Sequence, residues 1–199
     1  TFLPVAEEIA RLGAINSLAQ ALLKLTSPGV PDIYQGNETW DFSLVDPDNR
    51  RPVDYKRRAE MLSCLSSKTP GEFLQNWPDG RIKMFLTQRA LQFRNERADL
   101  FRSGSYLRLR ASGTFADCCI SFARQLDRDW AIVIVPRLSS RIGFPPTGDR
   151  WQDTVIELPE HLSVDRAREI FTGRELSIQN RQIRLAEALS ILPFAILTN

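Results

Sequence analysis

One histidine and three cysteines in 199 residues leave little from which to build a metal centre. No CxxC spacing occurs, and His161 has no cysteine near it in sequence, so a zinc site is not expected. Cys64, Cys118 and Cys119 are an odd set, and neighbours on a strand point to opposite faces, so Cys118 and Cys119 cannot easily pair. Reduced structural thiols in a cytoplasmic protein are the expectation. An excess of one charge is also missing: 26 Lys and Arg against 24 Asp and Glu leave a net charge of +2. That gives no reason to expect nucleic acid or an anionic membrane as partner. No run approaches the roughly 18 apolar residues of a membrane span. Residues 1–25 are apolar in places, but Glu7, Glu8 and Arg11 interrupt them and no basic leader precedes them, so they are not read as a signal peptide. Internal repeats and low-complexity segments are absent too. No residue pattern calls for a metal or organic cofactor.

What is present is an ordinary globular composition, 43% apolar and 25% charged, in a chain long enough for one large or two small domains. Val5, Ile9, Leu12, Ile15, Ala19, Leu22 and Leu23 recur at helical steps, and Ser27-Pro28-Gly29 ends that helix. A short buried strand is predicted at Val30 to Tyr34. Pro52 opens a second helix to about Leu65, with Tyr55, Ala59, Leu62 and Leu65 inward. Lys68 to Pro78 reads as a linker. Asp79 caps a third helix with the apolar stripe Ile82, Phe85, Leu86, Ala90 and Phe93. Its other face, Arg81, Lys83, Arg89 and Arg94, lacks interleaved aromatics and reads as solvated rather than nucleic-acid-binding.

From about Ser105 the period changes to alternation. Strands are predicted at Tyr106–Arg110, Cys118–Arg124, Trp130–Val135, Thr154–Leu158, Glu169–Phe171, Arg181–Leu185 and Ala188–Leu197. Turns fall at Asp127-Arg128-Asp129 and Thr172-Gly173-Arg174, and Gly143 to Gly148 reads as an exposed loop. Seven short strands without a long helix between them argue for an antiparallel sandwich. Trp130 is expected in its core, Trp151 exposed after the Gly/Pro loop, and His161 on the surface.

The segment with the most chemistry lies between the first strand and the second helix. Glu38, Asp41, Asp46, Asp48, Asn49, Arg50 and Arg51 are grouped there with Tyr34 and Trp40. Rings beside fixed carboxylates and guanidinium forks suit a neutral, polyhydroxylated ligand, since rings stack on sugar faces and the polar groups pair with hydroxyls. By composition alone the same loop reads as a solvated surface turn around Asp46-Pro47-Asp48-Asn49.

The words PGVPDIYQGNE, Pro28 to Glu38, resemble the eighth barrel strand of the α-amylase family of glycoside hydrolases. The extension ETWDFSLVDPDNRRPVDY, Glu38 to Tyr55, resembles a narrower group in it, the transglucosylases that form trehalose ends on maltooligosaccharides. The resemblance implies an α+β chain: the last α/β elements of a (β/α)₈ barrel at 1–104, then an antiparallel β-sandwich C-terminal domain at 105–199. It implies an active site at the carboxyl ends of the barrel strands, with nucleophile, acid/base and stabilising carboxylates on strands four, five and seven. All three then lie upstream of this chain, and Glu38 with Asp41 or Asp46 is not the acid/base couple. Tyr34, Gln35, Glu38, Trp40, Asp41, Asp46, Asp48, Arg50 and Arg51 become the residues that bind substrate, with Glu38 organising the loop. An arginine just before a proline holds the sugar at the cleavage point in related enzymes, and Arg50 and Arg51 both fit that place. The implied partners are a maltooligosaccharide substrate and the rest of the catalytic barrel. Two alternatives stand beside this reading: a non-catalytic carbohydrate-binding or interaction module, and a fragment of another enzyme of the same family, such as an amylase or an isomerising glucosyltransferase.

Overall fold

The computed structural model describes residues 2–162 and 164–199. A helical layer comes first: α1 (Phe2–Thr26), α2 (Tyr55–Ser63), α3 (Pro70–Gln75), α4 (Arg81–Glu96) and α5 (Ala98–Ser103). Nine strands follow, with the short helix α6 (Leu185–Ala188) between the last two. Strands β1 (Ser105–Arg108), β3 (Cys119–Leu126), β4 (Asp129–Pro136), β6 (Arg166–Glu169), β7 (Glu175–Ser177) and β9 (Ala195–Thr198) form a six-stranded sheet in the order β1-β3-β4-β9-β6-β7. A second sheet joins β2 (Arg110–Ser112), β5 (Val155–Glu157) and β8 (Gln182–Arg184). Every pairing is antiparallel.

Strand β4, the run Asp129-Trp-Ala-Ile-Val-Ile-Val-Pro136, explains how the layers stack. Alternate side chains of a strand point to opposite faces, so a continuous apolar run needs cover on both. Ala131, Val133 and Val135 face the helices, where Leu18 and Leu22 of α1 and Ile82, Leu86 and Ala90 of α4 meet them in one core. Trp130, Ile132 and Ile134 face the small sheet and share a second core with Ile156 and Ile183. β9 repeats the division, Ile196 toward the helices and Ala195 and Leu197 toward the small sheet. The β3–β4 hairpin closes through Asp127 and Arg128, with Asp127 at φ 52.

Two arginines hold the end of α1, one from the large sheet and one from α4. Arg124 of β3 is 1% exposed, and its guanidinium donates to the carbonyls of Thr26, Phe101, Gly104 and Ser105 at 2.8–3.2 Å. Arg94 of α4 donates to the Leu25 and Gly29 carbonyls at 2.9 and 2.6 Å. The last carbonyls of a helix have no partner within it and carry partial negative charge, so guanidinium donors there satisfy both needs. The end of α1 is thereby fixed, and with it the start of the segment that follows.

Several sequence expectations change here. Val30 to Tyr34 forms neither helix nor strand and pairs with nothing among the described residues, and Val30 is 95% exposed. A strand with the apolar character of Val30-Pro-Asp-Ile-Tyr34 needs two parallel neighbours, and every ladder here is antiparallel. In α2, Tyr55 and Leu62 are exposed rather than inward, because nothing packs on that face. The expected linker holds a helix: Thr69 and Glu72 make a reciprocal capping box around Pro70 at the first position. The basic face of α4 is not solvated throughout, since Lys83 is buried and Arg94 caps α1. Arg110 opens β2 in the small sheet rather than ending β1, Glu175–Ser177 is a further strand, and Ala188–Leu197 resolves into the end of α6, a turn and β9. Trp151 is 0% exposed and donates Nε1 to the Pro146 carbonyl at 2.8 Å, so the Gly143 to Gly148 loop folds inward over it. Trp130 is buried and His161 exposed.

Candidate functional site

The chain leaves α1, runs without regular structure to Tyr34, turns at Gln35–Glu38 and crosses the surface to α2. Gly36 sits at φ 89, which favours glycine, and a Cβ there would stand 3.4 Å from Arg58 Nη2. Arg58, on α2, holds this turn. Its Nη2 donates to the Gly36 carbonyl at 3.2 Å and to Thr39 Oγ1 at 3.5 Å, and its Nη1 to the Asp54 carbonyl at 3.3 Å. Its Nε faces Glu38 as an ion pair without an aligned hydrogen bond. Glu38 is thus organised from behind by a residue that no local pattern singled out.

Trp40 is anchored rather than free. Its Nε1 donates to the Trp77 carbonyl at 2.7 Å, and its ring meets Trp77 edge-on at 6.3 Å. Trp77 in turn meets Phe144 at 5.9 Å, which continues the aromatic row toward the β-rich region. The Lys83 Nζ lies 5.9 Å from the Trp40 ring centroid. Gly80, the residue before α4, allows this close approach: a Cβ on it would lie 3.1 Å from Thr39 Cβ and 3.2 Å from Trp40 N.

Beyond Trp40 the loop projects. Asp41 accepts from Ser43 N at 2.9 Å, and hydrogen bonds from Ser43 hold its carboxyl below the usual range, with Lys83 and Arg58 adding to the effect. Asp48 accepts from Leu44 N at 2.7 Å and pairs with Arg51, while Asp46 pairs with Arg50. Tyr34 is exposed, and Gln35 Oε1 accepts from Tyr55 Oη at 3.3 Å. Phe42, Leu44 and Val45 are more than three-quarters exposed. Asn49 Oδ1 is buried with no hydrogen-bond partner, an acceptor that a ligand hydroxyl would satisfy.

All nine candidate residues therefore lie on one continuous surface segment, with Tyr34 exposed at its start and the other eight in two groups. Gln35, Glu38, Trp40 and Asp41 are held to α2, α4 or neighbouring backbone, whereas Asp46, Asp48, Arg50 and Arg51 pair among themselves at its tip. Both arginines are exposed and each has its own aspartate, so both remain in reach of a ligand. Sequence reasoning missed Arg58 and Lys83, because their roles depend on helix packing rather than on spacing. Carboxylates at the surface beside guanidinium groups can orient hydroxyls. They lack the apolar enclosure that a general acid uses to stay protonated. Among the described residues no group of three or more His, Cys, Asp or Glu is placed to hold a metal ion, and no helix is long and apolar enough to cross a membrane.

The fold resembles part of an Anoxybacillus α-amylase structure, which matches 92% of the chain and 31% of its own length at TM-score 0.57 and 16% identity. The nearer relationship is to maltooligosyl trehalose synthases, to which this chain is homologous. A Mycobacterium tuberculosis protein named as one is 40% identical over 164 residues, 79% of this chain. The structure of the Arthrobacter ramosus maltooligosyltrehalose synthase superposes with TM-score 0.76 at 36% identity over 98% of the chain. This chain spans 19% of the length of the first and 23% of the second. No family model matches it.

Proposed function

We propose that the chain is the C-terminal portion of an intramolecular transglucosylase that converts the reducing-end α-1,4 bond of maltooligosaccharides into an α,α-1,1 bond. In this reading residues 1–104 are the end of a catalytic barrel and 105–199 a sandwich domain that braces it. The bond to the terminal glucose is cleaved with retention through a covalent glucosyl-enzyme, on carboxylates outside this chain. The freed glucose turns in place, and its anomeric hydroxyl attacks the same centre. The loop from Tyr34 to Arg51 is then one wall of the site. It holds the glucose while it turns and keeps out the water that would hydrolyse the intermediate.

The observation that carries this reading is the 40% identity to a maltooligosyl trehalose synthase over most of the chain. The loop's chemistry agrees with it: exposed Tyr34, the orphan Asn49 acceptor, and carboxylates engaged by arginines rather than poised as acids.

The test is product analysis after incubating this chain, and separately the upstream-extended protein, with maltopentaose. The extended protein is expected to remove reducing ends without releasing glucose, and the 199-residue chain to do nothing. In the extended protein, Arg50→Ala or Arg51→Ala should raise glucose release relative to trehalose-end formation by about tenfold, the factor that corresponds to losing roughly 1.4 kcal/mol of preference. Unchanged product ratios in both variants would remove the loop from the mechanism. Turnover by the isolated chain would place catalytic carboxylates within it.

A further inference from the structure

On the α2 side of the loop, between it and the turn before α4, lies a cleft of about 260 Å³. Pockets that enclose drug-sized ligands run to roughly 300–1,000 Å³, so this one suits a single sugar ring. Trp40, Phe42, Met61 and Pro78 supply its apolar lining, and Thr39, Asp54, Arg57, Arg58 and Asp79 its polar lining. Trp40 is fixed there by the Trp77 carbonyl. Phe42 is 84% exposed and meets no other ring among the described residues.

Some of the polar groups are already engaged. Both Asp79 oxygens accept from Arg81 at 2.5–2.8 Å, and Arg58 serves Glu38, Thr39 and the Gly36 and Asp54 carbonyls. Others are free. Asp54 Oδ1 accepts from Arg57 N at 2.9 Å, and no described residue donates to its Oδ2. The Arg57 guanidinium enters no ion pair and donates no hydrogen bond among the described residues. Thr39 Oγ1 accepts from Arg58 and keeps its own hydrogen to donate. Asp54 and Arg57 thus line one cleft without pairing. A free carboxylate oxygen and a free guanidinium match adjacent hydroxyls, each of which donates and accepts. Charge argues against an ion as occupant: Asp79 is balanced by Arg81 and Arg58 by Glu38, and Asp54 and Arg57 offset each other. An apolar guest would strip water from both free charges and return no hydrogen bond.

We propose that this cleft binds one glucosyl unit of a maltooligosaccharide, with its apolar face on Phe42 and Trp40 and its hydroxyls on Asp54, Arg57 and Thr39. The identity of the sugar rests on the transglucosylase reading, and the site rests on the cleft. Its lining residues all belong to this chain, so the chain holds the whole site. Occupancy would tie the loop to the start of α2.

Titration of the 199-residue chain with maltopentaose tests the site, read by tryptophan emission, to which Trp40 contributes from the cleft, with glycerol as the control. Saturable binding in the millimolar range or tighter is expected. Phe42→Ala should weaken it about fivefold, through loss of the ring. Arg57→Ala should weaken it at least about tenfold, as loss of hydrogen bonds to a charged group requires. Phe42→Tyr should bind as the native chain does, and Phe42→Leu as weakly as Phe42→Ala. Both positions are exposed, so the variants should fold, with far-ultraviolet dichroism as the check. Full affinity in Phe42→Leu would make the ring an apolar contact for another part of the protein and overturn the assignment. So would absence of saturable binding, or affinity unchanged in both Phe42→Ala and Arg57→Ala. Product analysis of the upstream-extended protein separates this result from the larger reading. Binding here without trehalose-end formation there would keep the site and remove the transglucosylase, and the reverse pair would remove the site alone.

Discussion

Chemical reactivity differs sharply among the three thiols. Cys118 is fully buried and Cys64 exposed, and burial first, then the neighbouring Cys118, pushes Cys119 up to about 11. The thiolate is the reactive form, so at pH 8 only about one Cys119 in a thousand is ionised. A thiol reagent at pH 8 should therefore modify one cysteine per native chain, Cys64, and all three after denaturation. Rapid native labelling of Cys119, read by peptide mapping, would contradict the partial burial that raises its thiol. The expectation of unpaired thiols rested on Cys118 and Cys119 being neighbours on one strand, whereas Cys118 closes the turn before β3 and only Cys119 lies on the strand. Which thiol lies outside was set by packing, and nothing around Cys64 in sequence announces it.

At the scale of elements, α2 matters less for its own burial than for the one side chain it presents to the loop. Arg58 joins Glu38, the Gly36 carbonyl and Thr39 into one unit. Removing it leaves a partly enclosed Glu38 unpaired and frees a turn that already depends on a glycine at positive φ. In Arg58→Ala, amide exchange over residues 34–44 should accelerate by about tenfold for each 1.4 kcal/mol of lost local stability, while α4 and the strands keep their protection. Arg58→Lys, which retains charge without the fork, should recover little of it. Uniform acceleration across the chain would mean that Arg58 supports the whole fold rather than the loop. The α4 stripe Ile82, Phe85, Leu86, Ala90 and Phe93 was legible in sequence because helical periodicity encodes its burial directly. Of the inward face expected for α2, Tyr55 and Leu62 are exposed and only Leu65, just past the helix, is buried, because no described element packs on the rest.

The whole molecule is unevenly finished. Phe2, Leu3, Val5, Ile9, Val30, Phe42, Leu44, Val45 and Tyr55 are all more than half exposed, and all fall in the first 55 residues. Exposed apolar surface on that scale marks a face made for contact, which agrees with the proposal that the remaining barrel covers it. Strand composition alone suggests a β-rich half that is stable by itself, but its packing against the helices predicts otherwise. A fragment of residues 105–199 would uncover Phe122, Val133, Val135, Phe194 and Ile196, which α1 and α4 now shield. That fragment should bind a hydrophobic dye strongly and lack the near-ultraviolet dichroism of the full chain, as a loosely packed state does. A cooperative melt with native-like dichroism would show that the small sheet and second core suffice alone.

The sequence by itself determined the order of elements, helices before antiparallel strands, through the change from helical to alternating periodicity near Ser105. It also grouped the candidate ligand-binding residues, because rings, carboxylates and guanidinium groups crowd one short segment. Tertiary structure decided the rest. Val30 to Tyr34 carries a strand's composition, yet a ladder needs a neighbour and none is present. Lys83 looked like part of a solvated helix face, and the packing of α4 against α1 and the loop enclosed it instead. Arg124 read as the end of a strand, and folding surrounded it with the carbonyls of Thr26, Phe101, Gly104 and Ser105. Periodicity records which face of an element is apolar, but what meets that face depends on contacts between residues far apart in the chain.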